Sequence, residues 1–156
     1  MATGSVRARV AWEDRFRTPK IDELLEVFNK QTLPALEFAR AKLLEVAGVR
    51  EDLSWQGIPW RWCLTYRVGS AERPWAYLVL EPNKARLALP LTADAVSRLP
   101  ARKMSKTIRD AIAQASQVGG VYWASWELTS KALSEELVDT VAMASLEGVG
   151  EPVAAS

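Results

Sequence analysis

From residue 60 to residue 68 the side chains alternate in kind. Trp60, Trp62, Leu64, Tyr66 and Val68 are aromatic or aliphatic, and Arg61, Cys63, Thr65 and Arg67 stand between them. A period of two puts the first set on one side of an extended chain and the second on the other, which predicts a strand with one buried face. Such a strand needs partners and a covering layer. Gly69-Ser70-Ala71-Glu72-Arg73-Pro74 reads as a turn, and residues 75–80, rich in aromatic and branched side chains, read as a second strand. Glu81-Pro82-Asn83-Lys84 then turns the chain into a third strand over residues 85–89. These connections are too short for a parallel crossover, so the expected sheet is an antiparallel meander. Gly57 and Pro59 tighten the approach to its first strand.

The flanking segments supply the cover, and the fold class predicted is α+β, a meander packed by amphipathic helices. Thr18-Pro19-Lys20 suits a helix entrance, and Pro34 breaks the following apolar stripe near Thr32, which predicts two helices. In the second of them Leu36, Ala39, Leu43, Leu44 and Ala47 recur toward one side, Arg40 faces solvent, and Gly48 is the stop. Residues 49–56 fit either an edge strand or a loop. Pro90 is expected to interrupt the third strand, with Thr92 capping a short helix. A further helix places Met104, Ile108, Ala111, Ile112 and Ala115 on one face and Arg102, Lys103, Lys106 and Arg109 on the other. Gly119-Gly120 turns into a strand over residues 121–128, and Thr129 or Ser130 caps the last helix. Residues 1–18 are expected to form an extension that docks through Trp12 and Phe16, residues 19–147 a single domain, and residues 148–156 a flexible tail.

A chain that is 49% hydrophobic and 25% charged has the balance of a folded protein and argues against global disorder. It has no uninterrupted apolar stretch long enough to span a bilayer and no secretory h-region, which predicts cytoplasmic residence without membrane insertion. Twenty basic residues nearly balance nineteen acidic ones, but unevenly along the chain. Residues 61–109 carry ten basic and three acidic side chains, a difference of +7, and residues 110–156 carry one and seven, a difference of −6. The basic half would attract an acidic partner.

Composition also excludes chemistry. Without histidine there is no His metal ligand, no His general base and no Ser-His-Asp triad. Cys63, the one cysteine, makes an internal disulfide or a cysteine-built zinc centre impossible and reads as a packed core residue. Glu13, Asp14, Asp22 and Glu23 lack the spacing of a known metal site, so no metal and no cofactor is expected. Gly119-Gly120 lacks the basic residue of a phosphate-binding loop.

The aromatic residues carry the functional expectation. Trp55, Trp60, Trp62, Trp75 and Tyr77 offer rings to a planar or apolar ligand, and Arg61, Arg67 or Arg86 would select its negative group. Tyr122, Trp123 and Trp126 extend the supply, although opposite strand faces prevent all of these rings from sharing one pocket. Arg102, Lys103, Lys106 and Arg109 form a basic interaction face suited to an acidic protein or, as the lesser alternative, to RNA or DNA phosphates. The reading is therefore of a binding or protein-interaction domain for a small anionic aromatic or apolar ligand, with a homodimer possible. The enzymatic alternative is a cofactor-independent reaction using Tyr66 or Tyr77 beside Glu81.

Trp55-Gln56-Gly57-Ile58-Pro59, the close strands after it, and Arg102-Lys103-Met104-Ser105-Lys106-Thr107-Ile108-Arg109 ahead of another helix together resemble the small YdhG-like and related domains of unknown function, over about residues 33 to 118. The resemblance implies an α+β architecture and assigns no catalytic residue.

Overall fold

The computed structural model describes residues 11–149. A helical turn at residues 11–13 is followed by α1 (Ile21–Leu25), α2 (Leu33–Leu44), β1 (Val49–Trp55), β2 (Trp62–Val68), β3 (Ala76–Val79) and β4 (Arg86–Thr92). The chain then passes through α3 (Ala93–Ser97), a 3₁₀ turn (Ala101–Lys103) and α4 (Lys106–Ala113), and returns as the hairpin β5 (Ser116–Val118) and β6 (Val121–Glu127). Helix α5 (Lys131–Glu136), a π-helical segment (Leu137–Ala142) and α6 (Met143–Val149) complete the described chain. The fold is α+β: a six-stranded antiparallel sheet in the order β1-β2-β3-β4-β6-β5 with helices against it.

The register sorts the side chains into two faces. Leu53, Leu64, Leu78, Leu87 and Trp126 lie in one cross-strand row, and Tyr66, Ala76, Leu89 and Ala124 lie in the next row of the same face. These residues form a continuous core with Leu24, Phe28, Leu36, Leu43, Ile108, Leu137 and Val141 from the helices. This is the covered face. On the opposite face Tyr77 and Ala88, though buried, lie outside that core cluster, and Trp123 is half-buried beside them. The open face is closed by its own rings and by the loop before β2.

That loop corrects the expected alternation. Strand β2 begins at Trp62, and Arg61 before it has φ 58°, a left-handed conformation that costs a non-glycine residue roughly 1–2 kcal/mol. Arg61 is held there by bonds at both its backbone groups: its N–H donates to Gly57 O, and its carbonyl accepts from Gln56 N at 2.8 Å. The reversal throws Trp60 onto the open face, away from Trp62, Leu64 and Tyr66. The other side of β2 is not solvent-facing either, since Cys63 and Thr65 are fully buried along with the aromatic set.

Several other expectations are met or corrected by backbone detail. There are two helices as expected, and α2 starts directly after Thr32, but α1 already ends at Leu25; α2 ends at Leu44, which is exposed like Ala47, and Gly48 (φ 77°) lies beyond the helix in the turn to β1. Residues 49–55 are a strand rather than a loop, at one edge of the sheet. Pro90 does not end β4. It sits past the last β3–β4 rung, Tyr77 opposite Ala88, where the strand borders β6 and a missing donor removes no β3 rung. Thr92 and Ser130 cap their helices, accepting from Ala95 N at 3.0 Å and Leu133 N at 3.1 Å. Among the described residues Thr18 caps no helix; Lys20 is the residue that precedes α1. Trp12 is buried and its indole donates to Trp62 O at 3.1 Å, whereas Phe16 is 87% exposed. The last helix continues through Val149, past the expected start of the tail at residue 148, and the rest of that tail lies outside the described residues.

Two polar clusters lock the covered face. Arg40 grips the Glu51 carboxylate with two bonds, at 2.8 and 2.9 Å, and the Tyr66 hydroxyl donates to the same carboxylate at 2.7 Å. Burial pushes the Glu51 carboxyl up, but the bonds from Arg40 and Tyr66 and the Arg40 charge outweigh it and hold the group below its ordinary range. In the second cluster, Ala142 O at the end of the π-helical segment accepts from the Trp75 indole at 2.8 Å and from Ser145 Oγ at 2.9 Å.

Candidate functional site

The eight aromatic and arginine residues expected to hold a ligand separate into groups. Trp55 and Trp62 lie on the covered face, edge to face with centroids 5.6 Å apart. Trp62 is buried, and its indole donates to Asp14 O at 2.9 Å. Arg61 stacks over Trp12 at 5.0 Å and pairs with Glu13 at 3.1 Å, so it braces the N-terminal segment. A shallow hollow of about 420 Å³ separates Trp55 and Arg61 from exposed Phe16 and Ile58. None of these groups faces Trp60, Tyr77, Arg67 or Arg86, which are on or over the open face.

There the rings do converge. Trp60, Tyr77 and Trp123 form a triangle with centroid separations of 5.4, 5.7 and 5.6 Å and tilted or edge-on planes, the arrangement in which ring quadrupoles attract. They come from three separate places, the loop before β2, strand β3 and strand β6, so the cluster exists only in the folded chain. Arg67 and Arg86 flank it, but both are engaged. Arg67 donates to Glu72 O at 2.7 Å and to Thr65 Oγ1 at 3.2 Å and pairs with Asp52 at 3.5 Å, and Arg86 pairs with Glu81 at 2.9 Å.

At the end of the sheet where β3 begins and β4 ends, this cluster borders a cleft of about 770 Å³. Trp75, Tyr77 and Trp123 give it aromatic walls, and Pro74, Pro90 and Val121 add apolar surface. The loop from Ser70 to Arg73 lines one side; Ser70, Thr92 and Ser145 supply hydroxyls. A concave, mostly apolar site of this size with a few polar groups is the usual form of a small-molecule site. Arg73 is exposed and, among the described residues, makes no hydrogen bond or ion pair, so its charge is uncommitted. Burial pushes the Tyr77 phenol up, only partly opposed by the charge of Arg67 and then of Arg73. The phenol therefore keeps its proton at neutral pH.

No protein-family model matches this chain, and no curated protein matches it. The residues themselves thus carry the functional reading.

Arg73 and Trp123 are the features that sequence reasoning placed least well. Trp123 was one of several rings on a strand with aromatics on both sides, and Arg73 lay in a segment read only as a turn. The expected enzymatic pairing does not form: Tyr66 bonds Glu51, Glu81 bonds Arg86, and Tyr77 touches neither carboxylate. Cys63 is buried and its thiol is pushed up to about 12 by desolvation, partly countered by the Arg86 charge, which makes it inert at neutral pH.

The four basic residues do not share one helix. Arg102 and Lys103 are in the 3₁₀ turn, Lys106 and Arg109 in α4, and the chain breaks direction at Met104 and Ser105 between them. All four are exposed, and Lys106 pairs with Asp110 at 2.7 Å. Among the described residues no cluster of three potential metal ligands occurs, and no helix is long and apolar enough to cross a membrane.

Proposed function

We propose that this protein binds a small planar, partly apolar anion in the cleft bounded by Trp75, Tyr77 and Trp123. The observation that carries the reading is the convergence of three aromatic walls with one uncommitted arginine, Arg73, at a concave site of about 770 Å³. Ring faces bury flat apolar area well, and a guanidinium at the rim selects a negative group without the cost of full burial. Binding is favoured over turnover because Tyr77, Arg73, Glu72, Thr92 and Ser70 form no hydrogen bond with one another among the described residues, so no nucleophile and base are paired.

Calorimetric titration with naphthalene-2-sulfonate tests this. The account predicts one site per chain, weakened about tenfold or more by Trp123→Ala, the loss expected when a ring wall is removed. Trp55→Ala, on the other face, is predicted to retain the wild-type affinity. Equal affinity in wild type and a folded Trp123→Ala variant would reject the site.

A further inference from the structure

The polar groups at the cleft define the ligand more narrowly than its walls do. Tyr77 is 9% exposed, yet its phenol hydroxyl has no hydrogen-bond partner among the described residues and is not among the fully enclosed unpartnered atoms, so its oxygen still reaches solvent. A nearly buried hydroxyl left without a partner is an unused donor. Arg73 lies close enough for its charge to act on that phenol, and it too has no partner. The other nearby guanidinium, on Arg67, is taken up by Asp52, Thr65 and the Glu72 carbonyl. Glu72 contributes a negative charge to the same rim. The cleft thus sets the unpartnered Tyr77 O–H beside one free positive charge and one opposing negative charge, with the Ser70 and Thr92 hydroxyls at its exposed rim.

We propose that the cleft selects aromatic monocarboxylates, with the Tyr77 hydroxyl donating to one carboxylate oxygen and Arg73 providing the counter-charge. This inference rests on the reading of the cleft as the binding site and adds the class of ligand. A carboxylate is planar like its ring, accepts from two directions and carries one charge, which one free arginine balances. A phosphate monoester near its second charge would meet one uncommitted cation and the Glu72 carboxylate. A neutral alcohol would leave Arg73 unused.

The test compares 2-naphthoate, 2-naphthyl phosphate and 2-naphthalenemethanol by calorimetry at pH 8 on wild type, Tyr77→Phe and Arg73→Gln. Naphthoate is expected to bind most tightly. Tyr77→Phe should weaken it about tenfold or more, the loss typical of a hydrogen bond to a charged group, while leaving the alcohol much less affected. Arg73→Gln should weaken naphthoate up to about fivefold, the range of an exposed charge pair, and that loss should shrink with added salt. Because the Tyr77 hydroxyl has no protein partner, Tyr77→Phe is expected to unfold at the wild-type temperature, which separates lost binding from lost fold. If all three probes bind alike, or Tyr77→Phe leaves naphthoate unchanged, the carboxylate assignment fails while the cleft stands as a site. If none of the three binds the folded wild type, the cleft reading fails and this inference with it.

Discussion

Replacing Arg40 by methionine removes two of the three bonds that support the Glu51 carboxylate and leaves it facing Tyr66 alone. Glu51 is largely enclosed, with 12% of its side chain exposed and Arg40 at 27%, so the pair is neither a surface pair nor a fully buried one. Breaking a fully buried pair costs about 3–5 kcal/mol and a surface pair about 1 or less, which places Arg40→Met at about 2–3 kcal/mol. Tyr66→Phe removes one charge-assisted bond and should cost about 1.5–2.5 kcal/mol. The double variant Arg40→Met with Glu51→Leu contains no stranded charge and should cost less than Arg40→Met alone. Urea unfolding at pH 7 measures all three. The folded-state pKa of Glu51 is depressed, so the network stabilises the protein above the unfolded value near 4.5 and loses that contribution as pH falls through the folded value. The gap between wild type and Arg40→Met should therefore narrow below pH 4. A cost under about 0.5 kcal/mol for Arg40→Met, or a double variant no more stable than Arg40→Met alone, would refute the reasoning, since the first is the value of an exposed pair and the second means that no stranded charge is relieved.

Other parts of the fold make separate predictions. The Cys63 thiol rises from 9.0 to about 12 on folding, so its contribution is complete below pH 9 and is lost as pH climbs toward 12. Cys63→Ala should reduce the slope of unfolding free energy against pH just above 9 by up to about 1.4 kcal/mol per unit, measured against the same variant at pH 7. Ser134 is fully buried and donates to Ala35 O at 2.8 Å, tying α5 to α2; Ser134→Ala should lower stability by about 1–2 kcal/mol in urea unfolding, and no change would remove that tie from the account. Gly120, at φ 82°, closes the two-residue β5–β6 turn, where added side-chain atoms meet open space and the cost is conformational alone. Gly120→Ala should cost about 1–2 kcal/mol and Gly120→Asn less, because asparagine tolerates the left-handed region better.

The sheet was legible because period-two alternation survives even where both faces are buried, and because short turns between strands leave an antiparallel meander as the simplest topology. The caps at Thr92 and Ser130 were legible for a similar reason: a hydroxyl ahead of a helical stripe has a local job that needs no knowledge of the rest of the fold. What alternation cannot show is a reversal of the chain. Arg61 adopts a positive φ without being glycine, and nothing in its type announces that Trp60 will leave the face of Trp62 and join Tyr77 and Trp123. Strand β5 is too short, at three exposed residues, to display a period, and only Gly119-Gly120 after it hinted at a hairpin. Arg40 looked solvent-facing because a helical stripe counts apolar residues, whereas here a carboxylate on the neighbouring strand draws the guanidinium inward. The candidate site was half legible. Its rings were on the page as residue types, but Arg73 became its cation only because the folded chain commits Arg61 to Glu13, Arg67 to Asp52 and Arg86 to Glu81.

The most direct measurement follows the seven indole N–H resonances during titration with 2-naphthoate. The signals of Trp75 and Trp123, whose rings line the cleft, should shift together and saturate, with a smaller change at Trp60 where it packs on Trp123. Those of Trp12, Trp55 and Trp62, across the sheet and around the N-terminal segment, should stay where they are. Movement of Trp55 and Trp62 with Trp123 unmoved would contradict the account and place binding on the other side of the molecule.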